Sequence, residues 1–245
     1  MKVMNIFPYK CELKTEEPLF FASKEVSRTF ITVPYTGNYA LVYAMGIVES
    51  GYQASPLPRY REDLSSNNCH YVFPAKFVNF KWHMESFNCV GEGYFLQMGQ
   101  NIVIDAQKYL EEVQGRRFPV YNSPQMGTFK MIASESVAVF YIFAKTKEIL
   151  IPRYIRVGKL MTKCHLECTP VNNFEIRKGE FFVEHPLNPA DLSREYLVKS
   201  YSTVSIKPIP LIERVQMEGE YITFDKTCLP LHVGYFLYME GEATG

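Results

Sequence analysis

The residues best equipped for chemistry lie in one basic run, Ile151-Pro152-Arg153-Tyr154-Ile155-Arg156-Val157-Gly158-Lys159, which continues through Leu160-Met161-Thr162-Lys163. Cationic groups with aromatics set among them can hold a phosphate backbone and stack on bases. The whole chain is neutral, with 26 Lys and Arg against 26 Asp and Glu, but the charge is uneven. Residues 114–163 carry nine basic groups and two acidic ones, residues 1–113 carry 10 and 12, and residues 164–245 carry seven and 12. A solvated basic face is the competing reading of the block. Arg59-Tyr60-Arg61 and Arg116-Arg117 fall in predicted loops, where guanidinium groups suit single-stranded RNA by gripping phosphate in two-pronged fashion and stacking on bases.

Other chemical constellations are weaker. Cys164-His165-x-x-Cys168 invites a metal reading, but strand alternation puts Cys164, Leu166 and Cys168 on one face and Lys163, His165 and Glu167 on the other. No second cysteine pair stands at zinc spacing, so neither a metal nor another cofactor is expected. The five histidines, His70, His83, His165, His185 and His232, have no local nucleophile or carboxylate partner. There is no GxSxG, Walker loop or HExxH, and Gly91-Glu92-Gly93 is too short for a dinucleotide fingerprint. His185-Pro186-Leu187-Asn188-Pro189-Ala190-Asp191 reads as a rigid corner.

The elements that must position these groups follow from patterning. At 245 residues, with 47% apolar and 21% charged content, the chain can build an ordinary folded core. Its 17 Tyr and 18 Phe leave aromatics to spare for stacking or interfaces. Residues Ile6 to Leu13 read as a strand, and Glu16-Glu17-Pro18 as a turn. Asn38 to Ser50 reads as a helix capped by Asn38, stopped by Gly51 and apolar nearly all round, so it should lie on a sheet. Residues 52–68 read as loop, Tyr71 to Trp82 as extended, and Asp105 to Val113 as a second helix. Strands are predicted at Phe129–Ile132, Val137–Phe143, Thr162–Thr169, Phe181–Val183, Val204–Leu211, Tyr221–Phe224 and Val233–Tyr238. The fold class is α+β with a strand-rich C-terminal half. No secretory leader and no apolar run of membrane-spanning length is found, so a cytoplasmic protein with no membrane partner is expected. Its six cysteines, Cys11, Cys69, Cys89, Cys164, Cys168 and Cys228, are then expected as buried reduced thiols.

Five segments in register resemble the Csc-one subunits of type I-D CRISPR effector complexes, within the Cas-five family of the RAMP superfamily. They are Phe20 to Arg28, Tyr35 to Ala44, Pro58 to Leu64, Pro152 to Lys163, and Leu187 to Leu192, with Glu135-Ser136 preceding a Phe-rich strand. The resemblance implies one RAMP-type domain over 1–245, with a ferredoxin-like, RNA-recognition-motif-like core and an inserted arm over 86–126. That stretch is longer than the family pattern and carries the predicted helix Asp105 to Val113 in place of a hairpin-like arm. It further implies a non-catalytic subunit of a ribonucleoprotein complex that caps the 5′ handle of the guide RNA. Its neighbours would be a Cas-seven-type backbone subunit and a Cas-ten-related large subunit, with target DNA near the PAM as a further contact to be tested. Target specificity would reside in guide pairing. An endoribonuclease that processes the guide precursor is the alternative, and a protein-interaction module without nucleic acid is a third reading. The candidate RNA-contacting residues are Arg28, Asn38, Tyr39, Arg59, Arg61, Arg116, Arg117, Lys130, Arg153, Arg156, Lys159 and Lys163, with no catalytic residue and no metal ligand.

Overall fold

Alternation writes the first strand: in Phe7–Thr15, Tyr9, Cys11, Leu13 and Thr15 turn inward while Lys10, Glu12 and Lys14 face solvent. The computed structural model describes residues 6–26, 29–48, 59–65, 70–89, 96–98, 101–103 and 125–237. In chain order the elements begin with β1 (Phe7–Thr15), β2 (Lys24–Val26), β3 (Thr29–Ile31), β4 (Tyr35–Thr36), α1 (Asn38–Ala44) and α2 (Tyr60–Ser65). Next come β5 (His70–Val72), β6 (Ala75–Asn79), β7 (Trp82–Cys89), β8 (Leu96–Met98), β9 (Asn101–Val103), β10 (Gln125–Ile132) and β11 (Val137–Ala144). The chain closes with β12 (Tyr154–Val157), β13 (Thr162–Pro170), β14 (Glu175–Val183), a short 3-10 turn at Pro189–Asp191, β15 (Leu197–Val204), β16 (Leu211–Phe224) and β17 (Thr227–Pro230). The protein is α+β and strand-rich.

The main sheet runs β12-β13-β1-β11-β6-β4, with β5 also on β11. Phe140 to Ala144 of β11 are all buried, as a central strand covered on both faces requires. Its cover is the β14-β16-β15 sheet, to which β17 adds. One apolar cluster joins Leu13, Phe73, Phe140 and Ile142 of the first layer to Val183, Val215, Met217 and Phe224 of the second. Tyr141 meets Phe224 edge-on with ring centres 5.4 Å apart. A third sheet, β2-β3-β10-β7, stands beside these layers. No helix among the described residues is long and apolar enough to cross a membrane.

The ferredoxin-like core expected from the resemblance is not confirmed. A βαββαβ unit has a second helix, whereas the chain between β11 and β13 forms only β12. The segment expected as an arm begins inside β7 and ends inside β10, which pair antiparallel from Trp82↔Ile132 to Cys89↔Gln125. The predicted helix Asp105 to Val113 lies outside the described residues.

Several expectations need correction. The first helix is shorter than predicted, Asn38–Ala44. Gly37 is its N-cap and makes no side-chain capping bond, while Asn38 lies inside the helix. Gly46, at φ 66°, ends it, and Ile47 N donates to Val42 O at 3.2 Å to close the last turn. Gly51 lies outside the described residues. Tyr60–Ser65, expected as loop, is helical because Tyr60 and Leu64 share one face and pack inward. Val204–Leu211 is not one strand: β15 ends at Val204 and β16 begins at Leu211, with Pro208 and Pro210 removing two donors between them. Residues 233–237 form a bridge and a turn instead of a strand. Cys11 and Cys168 are not free thiols. They face each other across β1 and β13, 4.1 Å apart at Cα, and form a disulfide. Cys164 is free and buried, with burial pushing its thiol up to about 12.

Candidate nucleic-acid interface

The basic run folds into the β12–β13 hairpin at the edge of the main sheet. In β12, Ile155 and Val157 are buried and Tyr154 and Arg156 are exposed. In β13, Thr162, Cys164 and Leu166 turn in, so Lys163 and His165 share the outer face. The turn demands glycine: Gly158 has φ 81°, and a Cβ there would stand 2.7 Å from Phe20 O and 2.8 Å from a Leu19 methyl. Two bonds staple the tip to the preceding segment. Lys159 N donates to Phe20 O at 2.9 Å, and the Thr162 hydroxyl donates to Pro18 O at 2.7 Å.

On the outer face, Tyr154 opposes His165 with ring centres 5.2 Å apart, and Arg156 opposes Lys163. The Lys163 ammonium sits 4.3 Å from the Tyr154 ring centre. Lys14 of β1 lies on the other side of His165. Acids offset part of this charge. Glu16 meets the Lys163 ammonium at 2.7 Å and holds it charged, Glu17 accepts from Lys163 N at 3.0 Å, and Lys14 pairs with Glu135. Arg156 donates to Met161 O at 2.9 Å, which fixes the guanidinium against the turn. Arg153 and Lys159 are exposed and make no ion pair among the described residues, so they and Arg156 carry the surplus positive charge of the hairpin.

The other predicted contact residues do not all converge here. Arg59 and Arg61 are exposed around α2, flanking Tyr60, whose ring packs on Tyr39 and Tyr43. Lys130 lies on β10, with its ammonium 4.4 Å from the Trp82 ring centre. Phe20 links the two regions, since its backbone holds the hairpin tip and its ring lies 4.5 Å from Phe129 of β10. Arg28, Arg116 and Arg117 lie outside the described residues. Tyr154, His165 and Lys14 were not among the candidates, although the alternation of β12 and β13 puts Tyr154 and His165 on the face of Arg156 and Lys163.

Asn38 and Tyr39 are not surface contacts. Both are buried, and both serve an internal hub. The Asn38 amide and the Tyr71 hydroxyl donate to Asp191 Oδ2 at 2.7 and 3.1 Å, while the Tyr39 hydroxyl and Phe236 N each donate to Oδ1 at 2.9 Å. Asn188 donates to Asn38 Oδ1 at 3.1 Å and accepts from Ala190 N at 3.0 Å. The Pro-bracketed corner is therefore a buried polar node. Burial raises the Asp191 carboxyl to about 6 against the opposing pull of its donors, and it raises both tyrosine hydroxyls well above their ordinary range.

The histidines part company. His185 is held at 2.8 Å from Pro74 O, and burial lowers it to about 3. His232 gains a carboxylate that sequence spacing does not reveal, Glu220 at 3.0 Å. The Tyr196 hydroxyl beside this pair is fully engaged, donating to Glu220 O at 2.6 Å and accepting from His232 N at 2.8 Å. Cys168 is tied to Cys11 and His165 faces the opposite way from Cys164, so the Cys-His-x-x-Cys run offers no common coordination point.

No curated protein matches the chain. Among solved structures it is similar to a CRISPR protein from Archaeoglobus fulgidus, with 11% identity, 94% of this chain and 99% of that one covered, and a TM-score of 0.42. It is also similar to a chain of the type III-B Cmr-beta complex bound to cognate target RNA and AMPPnP, with 10% identity, 96% and 89% covered, and a TM-score of 0.34. The family model for the type I-D CRISPR-associated protein Cas5/Csc1 matches residues 6–237. That span takes in the β12–β13 hairpin, the Asp191 hub and every sheet among the described residues, and the chain belongs to the type I-D Cas5/Csc1 family.

Proposed function

We propose that the chain is a non-catalytic RNA-binding subunit of a type I-D CRISPR effector complex. It caps the 5′ handle of the guide RNA and contacts the Cas-seven-type backbone subunit and the Cas-ten-related large subunit. Family membership supports the setting, and the observation that carries the RNA reading is the β12–β13 hairpin. There Arg153, Arg156 and Lys159 are exposed cations on a stapled hairpin, with Tyr154 and His165 beside them for stacking. The acidic C-terminal third is suited to facing basic neighbours.

The test is fluorescence anisotropy with labelled handle RNA over a salt series. Arg156→Ala with Lys159→Ala should weaken binding and reduce the slope of log K against log[salt] by about 1 to 2. Glu16→Gln releases the Lys163 ammonium and should steepen the slope instead. An unchanged slope in the folded double variant would remove the hairpin from the interface.

The endoribonuclease reading draws on one observation: His165, Tyr154 and Lys163 meet on this same face. Such a trio can supply a base and a cation to RNA cleavage. Its lysine is already engaged by Glu16, which favours holding over cutting.

A further inference from the structure

The β2-β3-β10-β7 sheet sorts its charges by face. Cross-strand register sets Lys24, Ile31, Lys130 and Met84 in one row and Glu25, Phe30, Phe129 and Glu85 in the next. Successive rows point to opposite sides of a sheet, so both lysines stand on one side and both glutamates on the other. The glutamate side is closed near its centre, where Phe129 stacks on Phe87 at 4.3 Å and meets Phe20 and Phe30. The lysine side is exposed along its edge strands β2 and β7, half-buried along β3 and β10, and closed at Ile132 beside Trp82. Trp82 is 40% exposed, Met84 56% and Val26 60%, with Thr29, Thr128 and Ser86 between them. No position of this side in β2, β3, β7 or β10 is acidic.

From this juxtaposition we infer a second nucleic-acid surface, a stacking platform for single-stranded nucleic acid centred on Trp82 and Lys130. A protein partner matched to this face would have to supply acids to both lysines. A single strand supplies phosphates at every nucleotide and a flat base for the indole. The Lys130 ammonium, 4.4 Å from the indole centre, occupies the aromatic surface in the free protein. An exposed cation–π contact is weaker than the stacking of a base. The incoming base therefore displaces the ammonium, and the ammonium turns to the phosphate of the same nucleotide. The surface shares its class of partner with the proposed function but none of the hairpin residues.

Trp82 is the one tryptophan of the chain, so indole emission reports on this face alone. Full-length protein is titrated with short oligouridylate, with oligothymidylate and with a duplex, reading emission beside anisotropy of the labelled strands. Saturable quenching by single strands, displaced to higher concentration by salt, is expected. Quenching by oligouridylate alone identifies RNA as the source, and quenching by both identifies any single strand. The quenching should persist in the Arg156→Ala, Lys159→Ala variant, which separates this surface from the hairpin. Trp82→Ala should weaken single-strand binding about 5- to 100-fold, and Trp82→Phe less. Three outcomes overturn the inference: no quenching by any single strand, equal quenching by duplex, or loss of quenching in the hairpin variant. The first holds whether or not the hairpin itself binds RNA, and it would leave the face to a protein neighbour.

Discussion

Asn38 donates its side-chain amide to Asp191 at 2.7 Å, joining residues 153 positions apart at the centre of the fold. With Tyr39, Tyr71 and Phe236 also donating to the same carboxylate, the bond ties α1, β5 and the C-terminal turn to the corner at Pro189–Asp191. All four partners are donors, and an ionised carboxylate is an acceptor only, so the matching is complete.

Asp191→Asn should therefore destabilise the protein despite its near-identical shape. The new amide turns one acceptor into a donor facing donors in a site sealed from water. A loss of about 3 kcal/mol is expected, read as a lower urea midpoint with an unchanged slope. Tyr71→Phe deletes one donor without creating a conflict and should cost less. Stability of Asp191→Asn within about 0.5 kcal/mol of wild type would show that the hub is loosely held.

Asp191 and His185 should pull stability in opposite directions with pH. Burial raises the Asp191 carboxyl from 3.8 to about 6, so the folded chain keeps a proton that the unfolded chain has released. Its contribution to stability thus falls as pH rises through that window. Burial lowers His185 from 6.5 to about 3, so the unfolded chain takes up a proton first, and stability falls as pH drops through that wider window. His185→Gln removes the second effect and leaves the first. Relative to wild type, its stability profile should tilt toward acid between about pH 6.5 and pH 4, as read from urea midpoints. Parallel profiles would show that His185 does not govern acid sensitivity.

What the sequence discloses depends on how local the cause is. β1, β11 and β13 are legible because alternation and apolar runs are written in consecutive residues. So is the sharing of one face by Lys163 and His165. The helix from Asn38 is legible but its end is not, because Val48, Ser50 and Gly51 continue the pattern while Gly46 breaks it with a left-handed turn. Asn38 and Tyr39 read as surface contacts in the sequence because polar groups in a family motif suggest ligands. Their partner, Asp191, is visible only once the chain is folded. Cys11 and Cys168 are 157 positions apart, and only strand pairing brings them opposite one another.

Opening the Cys11–Cys168 disulfide should lower stability without unfolding the sheet. The bond spans 157 residues of chain and restrains the unfolded ensemble, with an expected contribution of about 2–4 kcal/mol. Cys11→Ser with Cys168→Ser should show this as a lower thermal midpoint with native strand content. Digestion without reductant should yield a single cross-linked species containing both peptides. Cys164, buried and pushed to about 12, should resist alkylation until the chain unfolds. Recovery of free Cys11 and Cys168 from unreduced native protein would contradict the pairing.

We expect no cleavage of guide precursor by the purified chain, with or without Mg²⁺. General acid–base cleavage needs groups within hydrogen-bond reach of the 2′-hydroxyl and the leaving oxygen, in protonation states that can exchange at neutral pH. His185 is half-buried against Phe73 and Tyr141, held to Pro74 O and lowered to about 3, so it is a poor base at neutral pH. His232 reaches a carboxylate, but its neighbouring Tyr196 hydroxyl already donates to Glu220 O and has no proton to offer. His165 has the best surroundings, with Tyr154 and Lys163 on the same exposed face, yet Glu16 engages the lysine. Single-turnover incubation of excess protein with handle-containing precursor decides the matter. Intact, bound RNA supports a subunit that holds the guide. Product that vanishes in His165→Ala while RNA binding survives would make the β12–β13 face an active site, and product that vanishes only in His232→Ala would move that site to the second layer.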